Sequence, residues 1–287
     1  MVNNESSCTA APGSEYWIFG YGSLIWKPPP VYADRVAGFI KGHVRRFWQK
    51  NTDHRGTVDK PGLVVTLIPH AEWKLLDDYH HNHEDDVTWG VAYRIADKDV
   101  EDVKAELDFR ESGYICRKID VFQNHRVEPV VKNAIVYIAT KDNEEYVGPA
   151  PIESIAQQIF TARGPSGPNI DYLINLAKAL RIIAPETQDY HLFDLEQRVL
   201  RLERQKQLFL ENGKEHKTTK KVQSIYDSHQ ILNNNTNDNN YNLSSSIMEF
   251  TSFLHVSRRK ENNLSLSSSS SFELQTIPLS SLLLLVI

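Results

Sequence analysis

The chain has 287 residues and a formal net charge of −5, with 32 Lys and Arg against 37 Asp and Glu. It lacks the dense basic block that a phosphate backbone attracts, which argues against a nucleic-acid partner. Two cysteines, Cys8 and Cys116, are too few for a disulfide framework. No apolar signal core opens the chain, and the apolar end Leu282 to Ile287 is far shorter than the ~20 residues of a membrane span. These features predict a soluble, cytoplasmic protein with no membrane partner.

Residues 1–14 read as a disordered leader, and Tyr16 to Phe19 as the first strand. Pro28 to Pro30 allow neither helix nor ladder, so a turn or extended segment follows. Val36 to Trp48 reads as a strand with Arg45 and Arg46 near its end, and Thr52 to Gly56 as a polar loop. Leu63 to Ile68 and Val87 to Ile95 are strands on either side of a polar stretch, 70–86. Asp97 or Asp99 can cap a helix to about Leu107, with Val100, Val103 and Leu107 on one face. Tyr114 to Phe122 and Val130 to Ala139 are two more strands. Helices follow at Ile152 to Ala162, Asn169 to Ile183 and His191 to about Glu211. Strands first and helices later predict an α+β fold with a barrel-like mixed sheet. One domain is expected over 15–211, with 212–287 an Asn- and Ser-rich tail, too polar to pack and read as disordered.

The run Trp17-Ile18-Phe19-Gly20-Tyr21-Gly22-Ser23-Leu24-Ile25-Trp26 carries the most information. A buried strand stops at two glycines, which permit close approach to the backbone. The third glycine of a dinucleotide fingerprint is absent, since Ile25 holds that position, and no P-loop ending follows. A tight turn in the core and a loop for a small ligand both fit the pattern, the turn being the commoner use of glycine. Glu111 ends the helix of Asp108-Phe109-Arg110-Glu111. Alone, such a residue is solvated or paired with Arg110; in an apolar pocket it would become a proton carrier. His80, His81, His83, Glu84, Asp85 and Asp86 fit no zinc spacing and read as a solvated loop, with no metal expected. Asp53-His54-Arg55 has part of a triad's composition but no elbow-set nucleophile. Arg45 and Arg46 read as a charged strand end or as partners of a substrate carboxylate.

Together these segments resemble the ChaC-type γ-glutamylcyclotransferases, and most closely their glutathione-specific branch. The resemblance covers about residues 16–204. It is carried in order by Phe19 to Lys27, Arg45 to Gln49, Thr52 to Gly56, Lys60 to Gly62, Trp89 to Tyr93, Leu107 to Glu111, Tyr146 to Pro151 and Gly164 to Gly167. It implies a compact mixed β-barrel with flanking helices, glutathione as substrate and no cofactor. It implies that Phe19, Gly20, Tyr21, Gly22, Ser23 and Leu24 form the substrate loop, that Glu111 is the catalytic proton acceptor, and that Tyr137 is a pocket tyrosine. Leaving-group recognition through Arg45, Arg46 or Arg55 is a further expectation. A non-catalytic interaction protein and a cyclotransferase of other γ-glutamyl amines are competing readings of the same residues.

Overall fold

The computed structural model describes residues 15–81, 87–110, 113–124 and 126–235. In chain order the strands are β1 (Tyr16–Gly20), β2 (Asp34–Lys41), β3 (His43–Asn51), β4 (Gly62–Pro69) and β5 (Val87–Ile95). They continue with β6 (Ile115–Val121), β7 (Val131–Ile138) and the short β8 (Arg163–Gly164) and β9 (Gly167–Pro168). The helices are α1 (His70–Trp73), α2 (Val100–Arg110), α3 (Ile152–Thr161), α4 (Asn169–Ile183) and α5 (Tyr190–Asn235).

The apolar strand β1 lies at the centre of a five-stranded sheet of order β2-β5-β1-β7-β6. It runs antiparallel to β5, with Phe19 opposite Ala92, and parallel to β7, with Ile18 opposite Ile135. Strands β3 and β4 form a separate antiparallel pair, and β8 with β9 a small hairpin. The α+β class holds, but the barrel does not close as a continuous ladder. The sheet curls until its outer strands touch at one bridge, where Phe39 and Phe122 exchange N–H to C=O hydrogen bonds at 2.9 and 2.8 Å. Gly38 makes that approach possible: a Cβ there would lie 2.5 Å from the Phe122 carbonyl oxygen. A register shift between Ile119 and Val121 ends the regular β6–β7 pairing just before the seam.

The expected single strand from Val36 to Trp48 is instead two. Gly42 sits at φ +72°, a conformation that costs a side-chain-bearing residue energy, and it turns the chain from β2 into β3. The helices bury the faces that their apolar periodicity marks. Val103 and Leu107 of α2, Ile155 and Ile159 of α3, and Leu173, Leu176 and Leu180 of α4 are all buried. Each such side chain stabilises the fold by about 1.5–3 kcal/mol. Asp97 and Asp99 lie in a short 3₁₀ turn that leads directly into α2.

Helix α5 runs to Asn235, well past the Glu211 at which its apolar pattern ends. Contacts separate a unit ending at Glu215 from one beginning at His216, whose described part is the helix to Asn235. The expected leader 1–14 and the tail beyond 235 lie outside the described residues. Cys116 on β6 is disulfide-bonded, which the low cysteine count did not suggest. Among the described residues no helix is long and apolar enough to cross a membrane.

Candidate active site

Beyond Gly20 the chain leaves β1 and enters a 3₁₀ turn over Ser23–Ile25. The Ile25 N–H donates to the Gly22 carbonyl at 3.0 Å and the Lys27 N–H to that of Ser23 at 2.8 Å. The two glycines are needed for space. A Cβ on Gly20 would lie 2.4 Å from Cβ of Leu24, and one on Gly22 would lie 2.9 Å from the Tyr172 hydroxyl. Three side chains fix the loop, one of its own and two from outside. Tyr21 donates its hydroxyl to the Tyr137 carbonyl at 2.9 Å, and Tyr93 donates to the Leu24 carbonyl at 2.8 Å. Arg45 Nη1 donates to the Tyr21 carbonyl at 2.6 Å and to that of Trp89 at 3.1 Å.

This loop forms one wall of a cavity of about 330 Å³, a size suited to a small molecule. Every residue from Phe19 to Leu24 lines it, and so does Tyr137, more than a hundred positions away in sequence. Val64, Val65 and Tyr172 close another side; Asn51, His54, Arg55, Glu145 and Ser166 supply polar groups. Of these, Arg55 is one of the three arginines expected at the leaving group; Asn51, His54, Glu145 and Ser166 were not expected to bind substrate, although Thr52 to Gly56 and Gly164 to Gly167 were among the motifs that carried the resemblance.

Glu111 lies outside the described residues. The chain on either side of it is anchored at this cavity. Tyr137 donates its hydroxyl to Oδ1 of Asp108 at 2.7 Å, and Tyr114 lines the cavity. Nearby, burial and then the charges of Asp108 and Glu101 push the Tyr16 phenol up to about 12, so it stays neutral.

Arg45 and Arg46 do not line this cavity. They are neither a solvated strand end nor open to a substrate. Both are buried on β3, and each is ion-paired within the fold, Arg45 with Asp189 at 2.9 Å and Arg46 with Asp78 at 2.6 Å. Asp78 also accepts from the Trp73 indole N–H at 2.7 Å. Asp189 in turn accepts from the Leu192 N–H at 3.0 Å in the first turn of α5.

A second polar cluster lies behind Arg45 and Arg46. Asp78, His80 and His191 offer possible metal-ligand atoms within 4.8 Å of one another. The chemistry of His191 excludes a cation there. The β3–β4 register shifts between Arg46 and Gln49, and the Phe47 N–H donates to His191 Nε2 at 3.1 Å. A neutral imidazole has one ring nitrogen with an available lone pair, so Nδ1 carries the proton and cannot coordinate. Arg46 also holds the Asp78 carboxylate. His83 to Asp86 of the expected polar loop lie outside the described residues.

The same cluster predicts acid sensitivity. Burial first, and then the charges of Arg46, His80 and Arg45, hold the His191 pKa well below 6.5. Below pH 6.5 the unfolded chain binds a proton there that the fold refuses. The stabilisation is therefore complete above that pH and is lost as pH falls, at about 1.4 kcal/mol per pH unit for one proton until the folded-state pKa is reached. The urea midpoint should drop between pH 7 and pH 5, and less steeply in His191→Gln. Equal slopes in the two proteins would rule His191 out as the source.

The Asp53-His54 pair acquires a serine in three dimensions, but not a working triad. His54 Nδ1 is 3.4 Å from Ser166 Oγ and its Nε2 is 3.6 Å from Asp53 Oδ2, with the His54 and Asp53 side chains mostly in water. Both separations are too long for the short, shielded hydrogen bonds that activate a serine.

Known proteins complete the description. The chain is 45% identical over 193 residues to the glutathione-specific γ-glutamylcyclotransferase of Schizosaccharomyces pombe, covering 67% of this chain and 95% of that one. It is 41% identical over 179 residues to the human glutathione-specific γ-glutamylcyclotransferase 1, covering 61% and 74%. The crystal structure of a yeast γ-glutamyl cyclotransferase specific to glutathione superimposes with a TM-score of 0.59 at 34% identity, over 66% of this chain and 97% of that one. The model of the ChaC-like protein family matches residues 16–202. With its glycine loop and curled mixed sheet inside that span, the chain belongs to the ChaC-like family.

Proposed function

We propose that this protein degrades glutathione to 5-oxoproline and Cys-Gly as a γ-glutamylcyclotransferase, with Glu111 carrying the proton. The observation that supports this most directly is the meeting of the Phe19 to Leu24 loop and Tyr137 at one cavity, in a chain of the ChaC-like family.

The substrate brings its own nucleophile. The α-amine of the glutamyl residue attacks the γ-carbonyl carbon of the same molecule. A C–N bond forms, closing a five-membered lactam, and the amide bond to the cysteinyl nitrogen breaks. No water is consumed and no enzyme nucleophile is used, so a missing triad is no obstacle. The first task of the cavity is to fold the glutamyl arm so that amine and carbonyl meet. Intramolecular orientation of this kind is worth up to about 7–11 kcal/mol.

The second task is proton movement. The α-amine is mostly protonated at neutral pH and inert in that form. Glu111 takes a proton from it and returns one to the departing nitrogen. The backbone of Tyr21 to Leu24 holds the α-carboxylate or the oxyanion that develops on the γ-carbonyl. None of these steps calls for a metal or an organic cofactor.

A substrate panel tests the proposal. Glutathione, γ-glutamyl-amino acids and γ-glutamyl-lysine are incubated with the purified chain, and the lactam is measured by mass spectrometry. Glutathione is expected to give 5-oxoproline and Cys-Gly in equal amounts, with the other substrates turned over poorly. Lactam from the other substrates alone would reject the glutathione assignment, and no lactam from any of them would favour the non-catalytic reading.

A further inference from the structure

We infer that Arg55 receives the glycyl carboxylate of the substrate and makes the site select a leaving group that ends in a free acid. The inference rests on reading the cavity as the γ-glutamylcyclotransferase site. Arg55 is buried and lines the cavity. Its place is set by its backbone. Asn51 Oδ1 accepts from the N–H groups of His54 and Arg55 at 3.1 and 2.5 Å, which folds the loop after β3 into a tight turn. Gly56 presses the same loop against the start of β4, where a Cβ would lie 2.0 Å from the Gly62 nitrogen.

The guanidinium is held, but among the described residues no carboxylate forms an ion pair with it. Nη1 donates to the Pro168 carbonyl at 3.1 Å, at the β8–β9 hairpin. A neutral carbonyl orients the group without balancing its charge. The two other buried arginines among the described residues, Arg45 and Arg46, each hold a carboxylate. Arg55 forms no such ion pair among the described residues. The carboxylates on the same wall are engaged elsewhere: Asp53 accepts from the Asn51 side chain at 2.9 Å and Glu145 from the Thr52 hydroxyl at 2.8 Å. A buried cation with spare planar N–H donors is costly until an anion reaches it, and a carboxylate fits that fork.

Glutathione has two carboxylates. The glutamyl α-carboxylate sits on the same carbon as the attacking amine, so it stays with the reacting centre at the Gly20 to Leu24 loop. Arg55 belongs to a different wall, the one made by the turn after β3 and the β8–β9 hairpin. The carboxylate remaining for it is the glycyl one, at the far end of the leaving group.

The test compares glutathione with its glycyl carboxamide, which has nearly the same shape and no charge at that end. In the parent, kcat/KM is expected to fall about 10- to 100-fold from acid to amide, the range for losing a charge-assisted hydrogen bond. Arg55→Gln is expected to lose a similar factor on glutathione, mostly in KM, and little on the amide; Arg55→Lys should fall between. The comparison in the parent needs no variant, so it stands even if a substitution unfolds the protein. Equal kcat/KM for acid and amide in the parent would overturn the inference while leaving the cyclotransferase reading intact. So would an Arg55→Gln loss of the same factor on both substrates, or discrimination abolished by Lys27→Gln, a change at the lysine that also lines the cavity, and retained in Arg55→Gln. Absence of lactam from either substrate would reject the cyclotransferase reading, and the role of Arg55 with it.

Discussion

Glu111→Gln is expected to lower kcat on glutathione by about 10²–10⁴-fold, the usual contribution of a positioned proton carrier, with KM and thermal midpoint little changed. Glutamine matches glutamate in size but cannot accept the ammonium proton. Glu111→Asp keeps the chemistry and shortens the reach, so it should recover part of the rate. The prediction draws on the family assignment and on the residues that flank the position. Asp108 is hydrogen-bonded to Tyr137, and Tyr114 lines the cavity. Initial rates of 5-oxoproline release decide it. A Glu111→Gln protein working at the parental rate would remove Glu111 from the mechanism.

Arg45→Leu is expected to cost about 1–3 kcal/mol of stability, because it leaves the partly buried Asp189 carboxylate without its guanidinium. It should also lower kcat/KM on glutathione beyond any loss of folded protein, since the Tyr21 and Trp89 carbonyls lose their common donor. A second change separates the two effects. Asp189→Asn removes the stranded charge and keeps an oxygen to cap α5, so the double variant should regain much of the stability. Its kcat/KM should stay low, because nothing restores the donor to the loop. Urea denaturation and steady-state kinetics on the four proteins of the cycle measure both terms. Recovery of activity in step with stability would mean that Arg45 supports the fold and does not position the loop.

Elements whose apolar residues repeat at a fixed period were legible in the sequence. Asn169–Ile183 was read with the bounds that the structure shows, because Leu173, Leu176 and Leu180 mark one face and proline lies just beyond. Strands β4 and β5 were legible for similar reasons. The break between β2 and β3 was not, since it depends on one backbone angle at Gly42 that no periodicity announces. Arg45 and Arg46 look like surface charge because their carboxylate partners are 144 and 32 residues away. The far extent of α5 escaped notice because its apolar stripe stops near Glu211, while the backbone continues to Asn235. At the cavity, the glycine loop and Tyr137 came from the resemblance. His54, Arg55 and Ser166 stood inside quoted motifs, but nothing in one dimension says that the turn after β3 and the β8–β9 hairpin share a wall.

The seam between Phe39 and Phe122 bears on how the protein behaves when crowded. A flat sheet of these strands would display a row of hungry peptide groups along each margin, and such margins recruit neighbouring chains into fibre-like stacks. Here the two margins bend round and begin to satisfy each other. The curl thus blunts the molecule against self-templated aggregation, and Gly38 is the hinge pin of that protection.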